Sequence, residues 1–147
     1  MKIPITILNR MIIHAREEAP IEACGMLAGN NGIVRRHYRM TNRDASAEHF
    51  TLEPREQFSL IKIVRSEKFS ILGVYHSHPA TPARPSQEDI KLAFDPSISY
   101  VIISLAEKDP VAKSFLIKDG KVDIEPIEII NDEVEDYDEY SVVGRRI

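Results

Sequence analysis

His76-Ser77-His78 is the first place in this sequence where residue types and spacing could do chemistry, and Ser86-Gln87-Glu88-Asp89 follows closely behind it. Written as a pattern, the stretch is His-x-His-x7-Ser-x-x-Asp. Two histidines at i and i+2 in an extended segment point to the same side of the chain, roughly 7 Å apart at Cα, so both imidazoles can converge on one ion. Ser86 and Asp89, three apart at the start of a helix, share a face, and one loop closure brings both toward the histidines. Pro79, Pro82 and Pro85 stiffen that loop and lower the cost of closing it. Two neutral imidazoles and one carboxylate suit tetrahedral Zn²⁺, and three protein ligands leave a fourth position for water, the arrangement of a catalytic site. Each half also has a purely structural reading. Ser86 and Asp89 make an ordinary helix start, an N-cap with an acid in the first turn, which is compatible with ligation. The histidines alone could be a strand-end pair satisfied by backbone carbonyls.

The elements that must position these residues follow from periodicity. Phe69 to His76 is an apolar run suited to a buried strand that empties into the proline loop, and Ser86 opens a short helix to about Phe94. Upstream, Leu8, Met11, Ile12, Ala15 and Ala19 recur at helical spacing, with Thr6 as N-cap and Pro20 just beyond the end. Ala23–Gly29 and Ile33–Met40 read as a hairpin around Asn30-Asn31-Gly32. A polar loop over 41–49 leads to a short strand over 50–52. Pro54 then starts a second amphipathic helix through Phe58, Ile61 and Val64 to about Lys68. Strands are expected over 100–105, over 113–118 and, after a turn at Asp119-Gly120, over 121–130. Short strand-to-strand turns demand antiparallel pairs while the helices allow crossovers, so the expected class is α/β: a mixed β-sheet flanked by helices.

Composition narrows the function classes. A chain of 147 residues with 43% apolar and 29% charged residues fits one globular domain. No run approaches the roughly 18 apolar residues of a membrane span, and no secretory h-region is visible, so a cytoplasmic protein is expected. The single cysteine, Cys24, excludes intrachain disulfides and every zinc-ribbon pattern, so any metal must be held by His, Asp or Glu. The net charge of −4 is dominated by acids between 131 and 140; the body is near neutral and lacks the basic footprint of a nucleic-acid binder. Arg35, Arg36, Arg39 and Arg43 read as the solvated face of a strand. The expected organisation is a domain over 1–130 and an acidic tail over 131–147 that is mobile or binds a partner.

On these residues the chain resembles the JAMM (MPN+) zinc metalloproteases, whose signature is an upstream Glu followed by His-x-His-x7-Ser-x-x-Asp. The upstream segment Pro20-Ile21-Glu22-Ala23-Cys24-Gly25-Met26-Leu27-Ala28-Gly29 is similar to the family's Pro-x-Glu-x-Cys-Gly-hydrophobic-Leu-x-Gly. The likeness spans about residues 3 to 118. It implies a deaminase-like fold, zinc bound by His76, His78 and Asp89, Glu22 as general base and Ser86 as oxyanion stabiliser. It also implies cleavage after the C-terminal Gly-Gly of a ubiquitin-like protein. The short chain leaves little room for ubiquitin-gripping insertions, so a small sulfur-carrier protein is the expected substrate, its tail lying against strand edges.

These roles suit the residue types. Zinc lowers the pKa of its water to about 7, a neighbouring carboxylate can take the proton and pass it to the leaving amine, and a hydroxyl can donate to the tetrahedral oxyanion. Ser77 should point away from both histidines, and Cys24, with no base at a paired spacing, reads as a small buried hydrophobe. His14 and His37 read as surface or packed histidines. His49 has no evident partner. A non-catalytic MPN-type scaffold is the alternative, which would typically lack a ligand; a zinc deaminase would need a second cysteine.

Overall fold

The structure is a computed structural model and describes residues 1–131. Its elements run β1 (Lys2–Pro4), α1 (Ile5–Glu18), β2 (Cys24–Asn30), β3 (Ile33–Met40), α2 (Pro54–Ser66), β4 (Ser70–His78), α3 (Gln87–Lys91), β5 (Ser99–Ser104), β6 (Val111–Lys118), β7 (Lys121–Glu125) and β8 (Glu128–Ile130). The expected hairpin is β2–β3, turned by Asn31 and Gly32, both at positive φ. β2 also pairs antiparallel with β4, which pairs parallel with β5 across the α3 crossover, so the sheet is mixed as its connections require.

All eight strands form one sheet in the order β7-β6-β5-β4-β2-β3-β1-β8. The sequence reading expects one strand over 121–130; the structure divides it at Pro126 and Ile127. β7 pairs with β6 at one edge and β8 pairs with β1 at the other. Laid flat, eight strands would separate those edges by roughly 34 Å, yet a two-residue link spans at most roughly 11 Å. The sheet therefore curls until its edges approach.

Side-chain alternation decides what each face buries. One face of the sheet presents Leu27, Val34, Tyr75, Val101 and Ile103 to Ile7, Leu8, Met11 and Ala15 of α1. The other presents Cys24, Met26, Tyr38, Met40 and Val74 to Leu60 and Val64 of α2. Burying each large aliphatic side chain contributes about 1.5–3 kcal/mol, so these faces, more than local propensity, hold the helices in place. Gly25 is required by packing: a Cβ there would overlap the Tyr75 ring and the Tyr38 carbonyl.

Three boundaries differ from expectation. α1 is capped by Pro4 with no side-chain cap, two residues before Thr6, because pairing with β8 keeps the chain extended as far as Pro4. The 50–52 segment is a single bridge, Asn42 to Leu52, and not a strand. α3 stops at Lys91, and Phe94 is 82% exposed, so nothing buries a continuation of the helix. The expected acidic tail lies, from residue 132 on, outside the described residues.

Candidate metal centre

His76 and His78 project from the C-terminal end of β4 on the α2 face, while Tyr75 and Ser77 project to the other side, as a two-residue period demands. Both histidines are buried. His78 Nδ1 lies 2.9 Å from the Pro82 carbonyl, which can only accept, so Nδ1 carries the hydrogen and Nε2 keeps the lone pair that could bind a metal ion. The proline loop thus orients the His78 ring as well as closing the turn.

Asp89 arrives from α3. Ser86 caps that helix in a reciprocal box: its Oγ accepts from the Asp89 N–H at 3.0 Å, and its own N–H donates to Asp89 Oδ2 at 2.9 Å. The same Oδ2 lies 3.2 Å from His76 Nε2 and 3.2 Å from His78 Nε2, and the two Nε2 atoms are 3.1 Å apart. Metal–ligand bonds of about 2.0–2.1 Å at tetrahedral angles place ligand atoms roughly 3.3 Å apart. The triangle therefore fits one small divalent cation, with a fourth direction left open. Burial would raise the Asp89 carboxyl, but hydrogen bonds from both histidines outweigh it and hold the group well below the usual carboxylate range.

Glu22 stands beside this triangle. The residue is 3% exposed, and its Oε1 is buried with no hydrogen-bond partner among the described residues. Burial pushes its carboxyl up to about 7; the charged groups acting on it most strongly are His78, which opposes the rise, and Asp89, which adds to it. A carboxylate poised there exchanges protons readily near neutral pH. The structure thus brings His76, His78 and Asp89 together, sets Glu22 next to them, and joins Ser86 to the group through Asp89.

Three supporting contacts have no mark in the sequence. Ser77, fully buried behind the histidines, accepts the Ala23 N–H at 2.7 Å and so ties the Glu22 segment to β4. Phe50 stacks on the His76 ring, centroids 4.5 Å apart at 26°. Asn42 donates to the Glu22 carbonyl at 3.1 Å. All three act across long sequence separations, and no local spacing marks them.

The other candidates have structural roles. Cys24 is buried, donates to the Met40 carbonyl, and burial pushes its thiol far up, so it is no nucleophile. His14 is buried against the Tyr75 hydroxyl at 2.7 Å, and His49 pairs with Asp44 at 3.0 Å. A cavity of about 460 Å³ is lined by Glu22 together with His14, Glu18 and Arg39, but by none of the three ligand residues. His14 and Glu18 bring α1 into its wall, and Arg39 pairs with Glu17 of the same helix.

Two imidazoles, a capped carboxylate and an adjacent buried acid thus come together at the end of β4 on a curled, helix-flanked sheet, with three side-chain atoms close enough to hold one metal ion. The model of the prokaryotic homologs of the JAB domain matches residues 4–118. The CysO-cysteine peptidase of Mycobacterium tuberculosis is 39% identical over 129 residues, 84% of this chain and 87% of the relative. A probable TtuB-protein conjugate cleaving protease of Thermus thermophilus is 31% identical over 119 residues, covering 81% and 77%. Among solved structures, a protein of Desulfitobacterium hafniense is 50% identical with a TM-score of 0.83, covering 91% of this chain and 94% of that one. A JAB1/MPN domain protein of Archaeoglobus fulgidus, at 21% identity and TM-score 0.62, covers 88% and 99% and shares the fold. The chain belongs to the compact prokaryotic branch of the JAMM/MPN+ family, and it is a peptidase. Among the described residues, no helix is long and apolar enough to cross a membrane.

Proposed function

We propose that this protein is a zinc-dependent peptidase that cuts after the C-terminal Gly-Gly of a ubiquitin-like sulfur-carrier protein. The observation that carries the reading is the ligand triangle of His76, His78 and Asp89 with the unpartnered, buried Glu22 carboxyl beside it. The names of the relatives, one acting on CysO-cysteine and one on TtuB-protein conjugates, support the substrate class. A cytoplasmic setting belongs to the same reading, consistent with a single, reduced cysteine.

Zinc held by the three ligands would supply Lewis acidity and bring the pKa of water to near 7. Glu22 accepts the proton of the attacking water and delivers it to the departing amine nitrogen. Ser86 already accepts a backbone N–H at its Oγ, so its hydroxyl hydrogen is available for the oxyanion of the tetrahedral intermediate. β4 is paired with β2 through His76 and with β5 through His78. At His76 β4 thus has neighbours on both sides, so the strand edge expected to receive the substrate tail is not β4 at that point. The tail instead approaches across the end of the sheet, where glycines fit a close backbone passage.

The test is incubation of zinc-loaded protein with carrier proteins extended beyond Gly-Gly, read by intact mass. The expected product is the carrier ending in Gly-Gly. Unchanged carriers with fully metal-loaded protein would overturn the substrate class.

A further inference from the structure

Among the described residues Glu22 Oε1 is buried without a hydrogen-bond partner to aim the side chain, so its direction comes from its backbone, and both polar groups of that backbone are held by one segment. The Glu22 N–H donates to the Ser46 carbonyl at 2.9 Å, and the Glu22 carbonyl accepts from Asn42 Nδ2 at 3.1 Å. Asn42 also organises the segment itself. Its Nδ2 donates to the His49 carbonyl at 3.0 Å and, more weakly, to the Ser46 carbonyl at 3.4 Å. Its Oδ1 accepts the N–H groups of Asp44 at 3.0 Å and Thr51 at 3.2 Å. The residue after His49 is Phe50, whose ring covers His76. One amide side chain thus joins the carboxylate's backbone to the segment that packs on a metal ligand.

We propose that Asn42 is a positioning residue for Glu22: its amide sets where the carboxylate stands relative to the ligand triangle. This rests on the reading of Glu22 as the proton carrier. Only a side chain with a donor and an acceptor on one short arm can serve. Aspartate has the same shape and keeps the acceptor for Asp44 and Thr51, but it turns an oxygen toward the Glu22, Ser46 and His49 carbonyls. Glu22 should then shift while the loop persists.

The experiment is a double-mutant cycle in zinc-loaded full-length protein with a Gly-Gly-extended carrier, combining Asn42→Asp with Glu22→Gln. Asn42→Asp alone should lower kcat at least 10-fold, with KM changed less than 3-fold and zinc still one per chain. In the Glu22→Gln background the same change should cost less than 2-fold, because the group it positions no longer carries the proton. Phe50→Ala serves as the contrast, since its effect should run through His76 and persist fully in the Glu22→Gln background. If Asn42→Asp fails to fold, Asn42→Ala carries the same cycle. A full Asn42 penalty in the Glu22→Gln background overturns the positioning role and leaves the base assignment standing. Parental turnover by Glu22→Gln alone removes the base assignment, and the positioning role with it.

Discussion

Ser86 and Asp89 hold one another twice, each backbone N–H donating to the other's side chain. The box that starts α3 is therefore also what aims the Asp89 carboxylate toward the two histidines. Ser86→Ala should show both consequences separately. Loss of the cap lowers stability by about 1 kcal/mol. Loss of the oxyanion donor lowers kcat by about 10²–10³-fold. Thermal melting and steady-state kinetics on the same preparation measure the two, and a variant that melts lower but turns over normally would confine Ser86 to capping.

Glu22→Gln keeps the size of the side chain and removes its basicity. Zinc content and melting temperature should stay near parental while kcat falls at least about 10²-fold. Zinc lost together with activity would make Glu22 a ligand.

Metal stoichiometry tests the triangle directly. Zinc-repleted protein should hold one ion per chain and melt above the metal-free form, because a ligand that binds only the folded state stabilises it. His78→Ala should abolish both the bound zinc and the zinc-dependent rise in melting temperature. A variant that retains stoichiometric zinc would disprove the ligand assignment.

His14 predicts an acid-side effect on stability. Burial lowers its pKa from the ordinary 6.5 to about 3, with Arg39 and His37 adding to the shift. Between those values the unfolded chain binds the proton that the folded chain refuses. The contribution is therefore fully present above pH 6.5 and is lost as pH falls toward 3, by at most about 1.4 kcal/mol per pH unit. Glu22 acts in the opposite sense: its raised pKa removes stability as pH climbs from 4.5 to about 7. The useful comparison is thus His14→Gln against parent in denaturant titrations, where the variant should lose less stability on acidification below pH 6.5. Identical pH dependence in the two would show that His14 is not buried neutral.

Much of the site could be read from the sequence because it is local. His76 and His78 share a strand, Ser86 and Asp89 share a helix turn, and each pair is set by a backbone period. The β2–β3 hairpin was equally readable, since its turn depends on two adjacent residues, Asn31 and Gly32. The sequence could not show what depends on chain segments meeting from afar. Asn42 acts as a hub only because β3 delivers it beside Glu22, and Ser77 matters because its hidden side meets Ala23. β1 and β8 have three residues each, too few for any alternation to emerge, and they form as strands only against each other and β3.

The join between β1 and β8 has a consequence for synthesis of the chain. Residues 2–4 find their parallel partners only when residues 128–130 have been made. Until then the early strand has β3 alone beside it, and bringing ends about 125 residues apart into register costs on the order of 4 kcal/mol of chain entropy. Curling of the sheet therefore waits on the β8 segment. A nascent chain stalled before residue 128 would carry a complete His76–His78–Asp89 segment inside an unsealed sheet.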